Sequence, residues 1–231
     1  MTIWFASGNA HKKKEMSAIF AEVGILSKAE NGDAAQGGDK LLIPADVGLA
    51  FDPLETGSSF YENSLIKAMA LHALLRDASL FGPNDAIVAD DSGLCVDSLG
   101  GRPGIFSARY MGAMSNEQLA MNNGKKLEAG ERNSLLLEEL GDAPDRKARF
   151  VCAMVLLFSP DRFFVAQETL EGEIVKSLEC SRGSGGFGYD PILYIPQKGC
   201  TVAELSEAEK NRISHRGKAG KVIAGIMRAR D

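Results

Sequence analysis

Two long apolar segments separated by a short turn stand in the second half of this sequence. They read ARFVCAMVLLFS and FFVAQETLEGEIV, and the SPD triplet at their junction is typical of a hairpin. Strands joined in this way pair antiparallel. Ser59 and Glu62 form a capping box before the helix-like stretch YENSLIKAMALHALLRDA. The sequence therefore predicts an α/β fold with a central mixed, partly antiparallel sheet flanked by helices.

The order of the segments indicates one continuous unit. The chain of 231 residues contains neither an internal repeat nor a low-complexity linker. AIVA is predicted to form a strand that ends at Asp90, LCVDSL a second short strand, and the region from Asn116 to Leu140 two helices. We expect residues 1–231 to form a single domain with two lobes and the active-site cleft between them.

Composition excludes several classes of protein. A net charge of -5 argues against a stable nucleic-acid partner, because proteins that bind duplexes usually carry a basic surface. The longest apolar run, FVCAMVLLF, is far too short to cross a membrane as a helix. Four cysteines without a C-x-x-C pair and only three histidines disfavour a zinc site. We expect a cytoplasmic protein with reduced thiols and no membrane partner.

The segment GSGGFG satisfies the G-x-G-x-x-G pattern of dinucleotide-binding loops. Such a loop must open a helix, whereas here YDPILYIP follows, in which Pro191 opposes a helix. The glycines instead let the backbone approach a flat ligand, and Phe187 and Tyr189 offer ring faces beside the acceptor Asp190. This set of groups suits a nucleobase. The alternative is an aromatic pair in the core of a bent strand.

The motif SGNAHK lies between the first predicted strand and the first predicted helix. Ser7, Gly8 and Asn9 there would present backbone N–H groups and the positive end of a helix dipole to an anion. Lys12 adds a full positive charge within reach. We interpret the motif as a phosphate site. The alternative is a helix cap at Ser7 or Asn9 followed by solvated lysines.

The motif ADDSG places two adjacent carboxylates, Asp90 and Asp91, directly after an apolar strand. Their repulsion and desolvation are costly without a cation, and hard oxygen ligands suit Mg²⁺. Because alternate residues of a strand point to opposite faces, the two need not share one metal. One can ligate the metal while the other orients the loop. The alternative is an Asp and a Ser that cap a turn.

Residues around the capping box complement such a site. Glu55 offers a second carboxylate for a metal. Asn63 and Lys67 are spaced i,i+4 and therefore share one face of the helix, where Lys67 supplies a cation for phosphate. Exposed surface charge is the alternative for Glu55 and Lys67.

Basic residues also occur elsewhere. Arg109 stands between two apolar residues, which favours a side chain held by packing, with a structural ion pair as the alternative. Lys210, His215 and Arg216 come just before or at the start of the last predicted helix. These three donors favour a ligand with carbonyl acceptors.

Five segments closely resemble, in order, the motifs of the Ham1-like family of inosine/xanthosine triphosphate pyrophosphatases: SGNAHKKKE, ETGSSFYENSLIKA, ADDSGLCVDSLGGRPGIFSARY, GGFGYDPILY and AELSEAEKNRISHRGKA. The resemblance covers nearly the whole chain. It implies hydrolysis of non-standard purine nucleoside triphosphates (ITP, XTP and their deoxy forms) to the monophosphate and pyrophosphate, with Mg²⁺. It also implies a homodimer whose ligand is this small-molecule nucleotide.

The resemblance assigns roles to matching positions. Lys12, Lys67 and Asp91 would be catalytic, with Asp91 as the base that activates water. Glu55 and Asp91 would hold the metal. Phe187 would stack on the base, and the C-terminal donors would read its carbonyl edge. The implied substrate-binding residues are Ser7, Gly8, Asn9, Ala10, His11, Lys12, Asn63, Ser92, Arg109, Phe187, Gly188, Tyr189, Asp190, Lys210, His215 and Arg216.

Two regions depart from the spacing of the family, Ala29–Asp52 and Asn122–Asn133, and both look enlarged. They bear on the dimer surface more than on the site. Three other functions fit parts of the pattern. They are a pyrophosphatase of a different modified nucleotide, a nucleotide-binding sensor without catalysis, and a single-stranded RNA binder. The doubled aspartate favours an enzyme over a sensor, and sparse aromatics with a negative net charge disfavour RNA.

Overall fold

A computed structural model describes residues 1–26, 39–112 and 127–229. Within these ranges the strands are β1 Thr2–Phe5, β2 Lys40–Leu42, β3 Ala86–Val96, β4 Lys147–Ser159, β5 Arg162–Ile174, β6 Leu193–Ile195 and β7 Cys200–Thr201. The α-helices are α1 Ala10–Glu22, α2 Phe60–Asp77, α3 Ala129–Leu140, α4 Glu207–Ile213 and α5 His215–Arg228.

The seven strands form one sheet in the order β2-β1-β3-β4-β5-β6-β7. β1 pairs in parallel with β2 and β3, whereas β6 pairs antiparallel with β5 and β7. The neighbours β4 and β5 are joined by Pro160 and Asp161 alone, as the hairpin prediction requires. The mixed, partly antiparallel sheet with flanking helices is therefore confirmed.

The helix predictions are confirmed where the structure describes them. α2 begins as the capping box indicates, with Ser59 Oγ accepting the N–H of Glu62 at 3.3 Å. α3 occupies the second half of the predicted helical region, and the predicted first half lies outside the described residues. Of the enlarged regions, residues 29–38 and 122–126 likewise lie outside the described residues. None of the helices in the described ranges has the length and apolar character of a membrane span.

Strand β3 differs from the prediction. A strand ending at Asp90 and a second one after Gly93 were expected, but β3 runs unbroken from Ala86 to Val96. A strand can continue through two aspartates when each carboxylate is paired with a cation, because neither then has to reach solvent. Both carboxylates are paired in this way. The expected break is therefore wrong, and the doubled aspartate lies inside the strand.

The chain contains two compact units, and the first comprises Met1–Asp91, Cys152–Glu168 and His215–Asp231. Its sheet is covered on one side by α1 and α5 and on the other by α2. α1 and α5 approach closely because α5 carries Gly220, where a Cβ would lie 2.9 Å from a methyl group of Ile19. The two helices thus pack closely together on the same side of the sheet.

The alternation of β3 decides where the two aspartates point. Val88 belongs to the apolar cluster that contains α1 and α5 residues, and Ala89 belongs to the cluster that contains α2 residues. Because side chains alternate with period two, Asp90 lies on the same side as Val88, and Asp91 lies on the side of Ala89. One aspartate therefore faces α1 and α5, and the other faces α2.

The second unit comprises Ser92–Val151 and Thr169–Ser214. Its core contains Leu136, Leu137 and Leu140 of α3 together with Tyr189 and Ile192 from the segment before β6. The helix α3 and the glycine-rich segment are thus parts of one packed structure.

Candidate active site

Asp90 lies on the α1 and α5 side of β3, and its side chain has no exposed surface. Lys12 Nζ lies 3.1 Å from Oδ1 and 3.0 Å from Oδ2. Arg216 donates to Oδ2 from Nε at 3.2 Å and from Nη2 at 3.1 Å. Burial would raise the pKa of Asp90, but the charges of Lys12 and Arg216 hold it below its ordinary value. Both oxygens of this carboxylate are therefore engaged by cations.

Arg216 is buried, with 2% of its side chain exposed, and its guanidinium also pairs with a second acid. Its Nη1 donates to Glu15 Oε2 at 2.5 Å. Burial would lower the pKa of the guanidinium, but Asp90 and Glu15 raise it above its ordinary value. Sequence reasoning missed Glu15. Its i,i+3 spacing from Lys12, which places both on one face of α1, is the pattern that could have revealed it.

Asp91 faces α2 and joins a separate cluster. Lys67 Nζ lies 3.3 Å from Asp91 Oδ1 and donates to Glu55 Oε1 at 3.0 Å. Burial raises the pKa of Asp91 above its ordinary value, although Lys67 partly opposes this effect. Burial would lower the pKa of Lys67, but Asp91, Asp90 and Glu55 raise it. Lys67 thus stays charged, whereas Asp91 is the carboxylate that accepts a proton more readily than usual.

Asn63 ties this cluster together. The side chain is fully buried, its Nδ2 donates to Asp91 Oδ2 at 3.2 Å, and its Oδ1 accepts the N–H of Gly57 at 2.8 Å. Only glycine fits at position 57, because a Cβ there would lie 2.8 Å from Asn63 Oδ1. Asn63 therefore links the loop that carries Glu55 to the strand that carries Asp91.

The two carboxylates of this cluster lie close enough together to contact one positive charge. The ammonium group of Lys67 contacts one oxygen of Glu55 and one of Asp91, so both acids can engage the same positive charge. Two carboxylate ligands suit Mg²⁺, which keeps several waters and takes its remaining ligands from the substrate. No group of three or more His, Cys, Asp or Glu side chains suited to a metal occurs within the described ranges.

The SGNAHK motif forms the entry to α1. Asn9 caps the helix, because its Oδ1 accepts the N–H groups of His11 at 2.9 Å and Lys12 at 3.2 Å. Ser7 Oγ accepts the N–H of Asn9 at 3.1 Å. The cap considered above is therefore present, yet Lys12 is not a solvated lysine, since it reaches Asp90. The other residues of the motif are exposed: Gly8, Ala10 and His11.

In the second unit, Asp190 organises the glycine-rich loop. Its carboxylate is buried and accepts the N–H of Phe187 at 2.8 Å and the ammonium of Lys210 at 2.9 Å. Lys210 Nζ also lies 4.8 Å from the centroid of the Phe187 ring. Position 186 must be glycine, because its φ is +72° and a Cβ would lie 2.0 Å from Asp190 Oδ2. The contacts of Asp190 therefore fix the loop that carries Phe187, whose side chain is half-buried.

The two residues that follow Phe187 differ in burial. Tyr189 packs in the core, and its hydroxyl donates to the carbonyl of Ser107 at 2.9 Å. The alternative considered from the sequence, a core aromatic, thus describes Tyr189 and not Phe187. Gly188 is half-buried, and its carbonyl accepts a hydrogen bond from Asn133 Nδ2 at 3.2 Å. Asn133 is a second residue that sequence reasoning did not bring into the site.

Three more of the predicted residues have separate positions. The guanidinium of Arg109 lies 5.1 Å from the centroid of the Phe106 ring, held by packing as predicted. Ser92 is half-buried and follows Asp91 in β3. His215 is buried at the start of α5, next to Arg216.

Comparison with known proteins extends over nearly the whole chain. Residues 3–225 match the model of the Ham1 family. A dITP/XTP pyrophosphatase of Treponema denticola is 43% identical over 219 residues, which cover 95% of this chain and 94% of that protein. A HAM1 protein from Coxiella burnetii gives a TM-score of 0.75 at 33% identity and 99% coverage of both chains. The Ham1 protein of Staphylococcus aureus gives 0.74 at 32% identity and 100% coverage of both.

Proposed function

Because this chain belongs to the Ham1 family, we propose that it hydrolyses non-standard purine nucleoside triphosphates, namely ITP, XTP and their deoxy forms, to the monophosphate and pyrophosphate. Asp90 and Asp91 carry this proposal: they face opposite sides of one buried strand, and each holds a different lysine. A relative named dITP/XTP pyrophosphatase supports the substrate class. In this function the enzyme removes damaged nucleotides before a polymerase can use them.

We assign the phosphate chemistry to the first unit. Glu55 and Asp91 would hold a divalent metal ion, which we propose is Mg²⁺. When bound, the ion would polarise the α-phosphate as a Lewis acid. Asp91 would take the proton of the attacking water, because burial already raises its pKa. Lys12 and Lys67 would stabilise the charge that develops on the phosphates, and the SGNAHK loop would bind the triphosphate.

Asp90 has a different role from its neighbour. Both of its oxygens are bonded to Lys12 and Arg216, so it fixes two cations and is not offered to a metal. The sequence predicts that one aspartate ligates the metal while the other orients the loop, and we propose that the second of these roles is instead the orientation of a lysine. Asp90 orients Lys12 for phosphate, and Asp91 serves the metal and the water.

Purine recognition is assigned to the Phe187 loop and to the donors Lys210, His215 and Arg216. Hypoxanthine and xanthine carry a carbonyl oxygen at C6 that can accept a hydrogen bond from these donors, whereas adenine carries an amino group there that cannot accept one. Unpaired buried donors discriminate between ligands by about 10⁴-fold. Guanine carries the same carbonyl, so its exclusion requires a clash of its 2-amino group, which we assign to the Phe187 loop.

A substrate panel tests the proposal. Release of pyrophosphate from ITP, XTP, dITP, GTP, ATP and dUTP is measured with Mg²⁺ under identical conditions. We expect ITP and XTP to exceed ATP in kcat/KM by about 10⁴-fold. A preference for dUTP would indicate a pyrophosphatase of modified pyrimidines instead, and binding of ITP without turnover would indicate a sensor.

Replacing Lys67 with methionine is expected to raise the affinity of the nucleotide-free protein for Mg²⁺ or Mn²⁺, while kcat falls. The reason is that the ammonium group of Lys67 competes with a metal for Glu55 and Asp91. Loss of one partly buried ion pair should tighten metal binding by about tenfold, as measured by isothermal titration calorimetry.

Lys13→Met is the matched control for this measurement. Lys13 pairs with Asp46 at 2.7 Å, so its loss should leave metal affinity unchanged. Unchanged or weaker metal binding by the Lys67 variant would show that Lys67 does not compete for the metal ligands.

The remaining expectations concern assembly and location. We propose a homodimer that acts in the cytoplasm without a nucleic-acid or membrane partner. Phe163 and Val165 are exposed apolar side chains on one face of β5, of the kind at which proteins associate. The net charge of -5 is unsuited to nucleic acid. Light scattering coupled to size-exclusion chromatography tests the dimer.

A further inference from the structure

Helix α3 contacts the loop that carries Phe187 through two consecutive residues. Asn133 Nδ2 donates to the carbonyl oxygen of Gly188 at 3.2 Å. Burial raises the pKa of the Tyr189 hydroxyl, and the nearby guanidinium of Arg132 partly opposes that rise. Asn133 thus hydrogen-bonds to Gly188, and the charge of Arg132 acts on Tyr189; these are the two residues that directly follow Phe187.

The donor of Asn133 is held in place by its helix. Asn133 is 5% exposed, and the following residues of α3, Leu136, Leu137 and Leu140, pack in the core of the second unit. The helix is also capped at its start, where Glu131 Oε2 accepts the N–H of Glu128 at 2.9 Å. A side-chain amide on so constrained a helix has little freedom to move, so its hydrogen bond fixes the partner carbonyl.

The partner of this bond, Gly188, has a backbone conformation that favours glycine. Gly188 has a φ of +66°, in the left-handed region, and a Cβ there would have nothing within 4 Å. No side chain anchors this residue, so hydrogen bonds to its backbone help to set the orientation of its peptide group. The bond from Asn133 does this on the C-terminal side of Phe187, while Asp190 binds the N–H of Phe187 itself.

Asn133 also lowers the stability of the fold. Its Oδ1 is buried and has no hydrogen-bond partner in the part of the chain that the structure describes. A buried acceptor without a donor destabilises a fold, and leucine, which is similar in size, would avoid the penalty. A polar group that lowers stability while it contacts a ligand loop is typical of a residue kept for function.

We propose that Asn133 is a positioning residue for the nucleobase, which acts through the Gly188 carbonyl to hold the Phe187 ring in its stacking orientation. This inference rests on the proposed function. Asn133 belongs to the second unit, whereas the acids and lysines assigned to phosphate chemistry belong to the first, so we expect it to govern the affinity for the purine and not the rate of hydrolysis. It also gives a role to the C-terminal end of the enlarged Asn122–Asn133 region.

Asn133→Leu and Asn133→Asp test the inference, because both remove the donor at nearly constant size. We expect KM for ITP, and the Kd of IMP measured by calorimetry, to rise by about tenfold, with kcat within about twofold of the wild type. The thermal midpoint of the leucine variant should equal or exceed that of the wild type. Phe187→Ala, which removes the ring itself, should weaken ITP binding at least as much.

Ser134→Ala is the matched control. Ser134 Oγ donates to Gly130 O within α3, so its loss should alter neither KM nor the Kd of IMP. Unchanged KM in both Asn133 variants, or a fall in kcat at constant KM, would overturn the inference. Should the leucine variant not fold, the aspartate variant supplies the same readout. A wild-type protein that releases no pyrophosphate from ITP would instead refute the proposed function.

Discussion

Asp91→Asn is expected to lower kcat for ITP hydrolysis by about 10³-fold or more. The substitution removes both the charge that binds the metal and the base that takes the proton from water, and loss of general base catalysis alone accounts for about 10²–10⁴-fold. The fold should survive, because burial raises the pKa of Asp91 and its charged form therefore destabilises the folded protein. Steady-state kinetics with ITP and a thermal melt give the two readouts.

Asp46→Asn provides the comparison for this variant. Asp46 belongs to the same unit and also pairs with a lysine, Lys13, but the pair is partly exposed and outside the acidic cluster. We expect its kcat to stay within about twofold of the wild type. An Asp91→Asn enzyme with activity within tenfold of the wild type would remove Asp91 from the roles assigned to it.

Asp90→Ala is expected to destabilise the protein more than any other single change considered for the site. It removes the carboxylate that pairs with the buried guanidinium of Arg216 and keeps the pair with Glu15. Breaking a buried ion pair costs about 3–5 kcal/mol. For a chain of this length the midpoint of thermal unfolding should fall by about 10 °C. Differential scanning calorimetry at neutral pH measures the effect.

The pH dependence of this loss has a defined sign. The pKa of Asp90 is lowered in the folded protein, so its stabilising effect is present above the unfolded value of about 4 and is lost as pH falls below it. The difference in Tm between the wild type and Asp90→Ala should therefore be constant from about pH 6 to 8. It should become smaller as the pH falls below about 4.

Asp97→Ala serves as the control for stability. The ion pair of Asp97 with Arg149 spans 2.6 Å, but both side chains are more than a third exposed, so its loss should cost less than about 1 kcal/mol. Equal midpoints for the two variants would mean that the buried network around Arg216 does not stabilise the fold.

Short sequence patterns were enough to predict much of the fold and part of the site. The hairpin and α2 follow from turn residues, apolar runs and a capping box. The separation of Asp90 from Asp91 follows from the period of a strand, since adjacent residues face opposite sides. Lys12 and Lys67 lie near these aspartates because each occupies an early turn of a helix that packs beside β3.

Long-range pairing is what local rules could not supply. Arg216 stands 126 residues from Asp90, and no sequence pattern indicates that a predicted base-reading arginine is held by that carboxylate and by Glu15. The sequence predicts that Asp190 accepts a hydrogen bond from a ligand. In the structure its carboxylate accepts hydrogen bonds from the backbone of its own loop and from Lys210. The prediction of a break in β3 was wrong for the same reason. The ion pairs that let the strand continue through the two aspartates come from residues distant in the sequence.

Product analysis tests the central claim most directly. The purified protein is incubated with ITP and Mg²⁺, and the nucleotide and phosphate products are separated by ion-exchange chromatography. The account predicts IMP and pyrophosphate in equal amounts, with neither product formed by Asp91→Asn at a comparable rate. Formation of IDP and orthophosphate, or recovery of intact ITP, would contradict it.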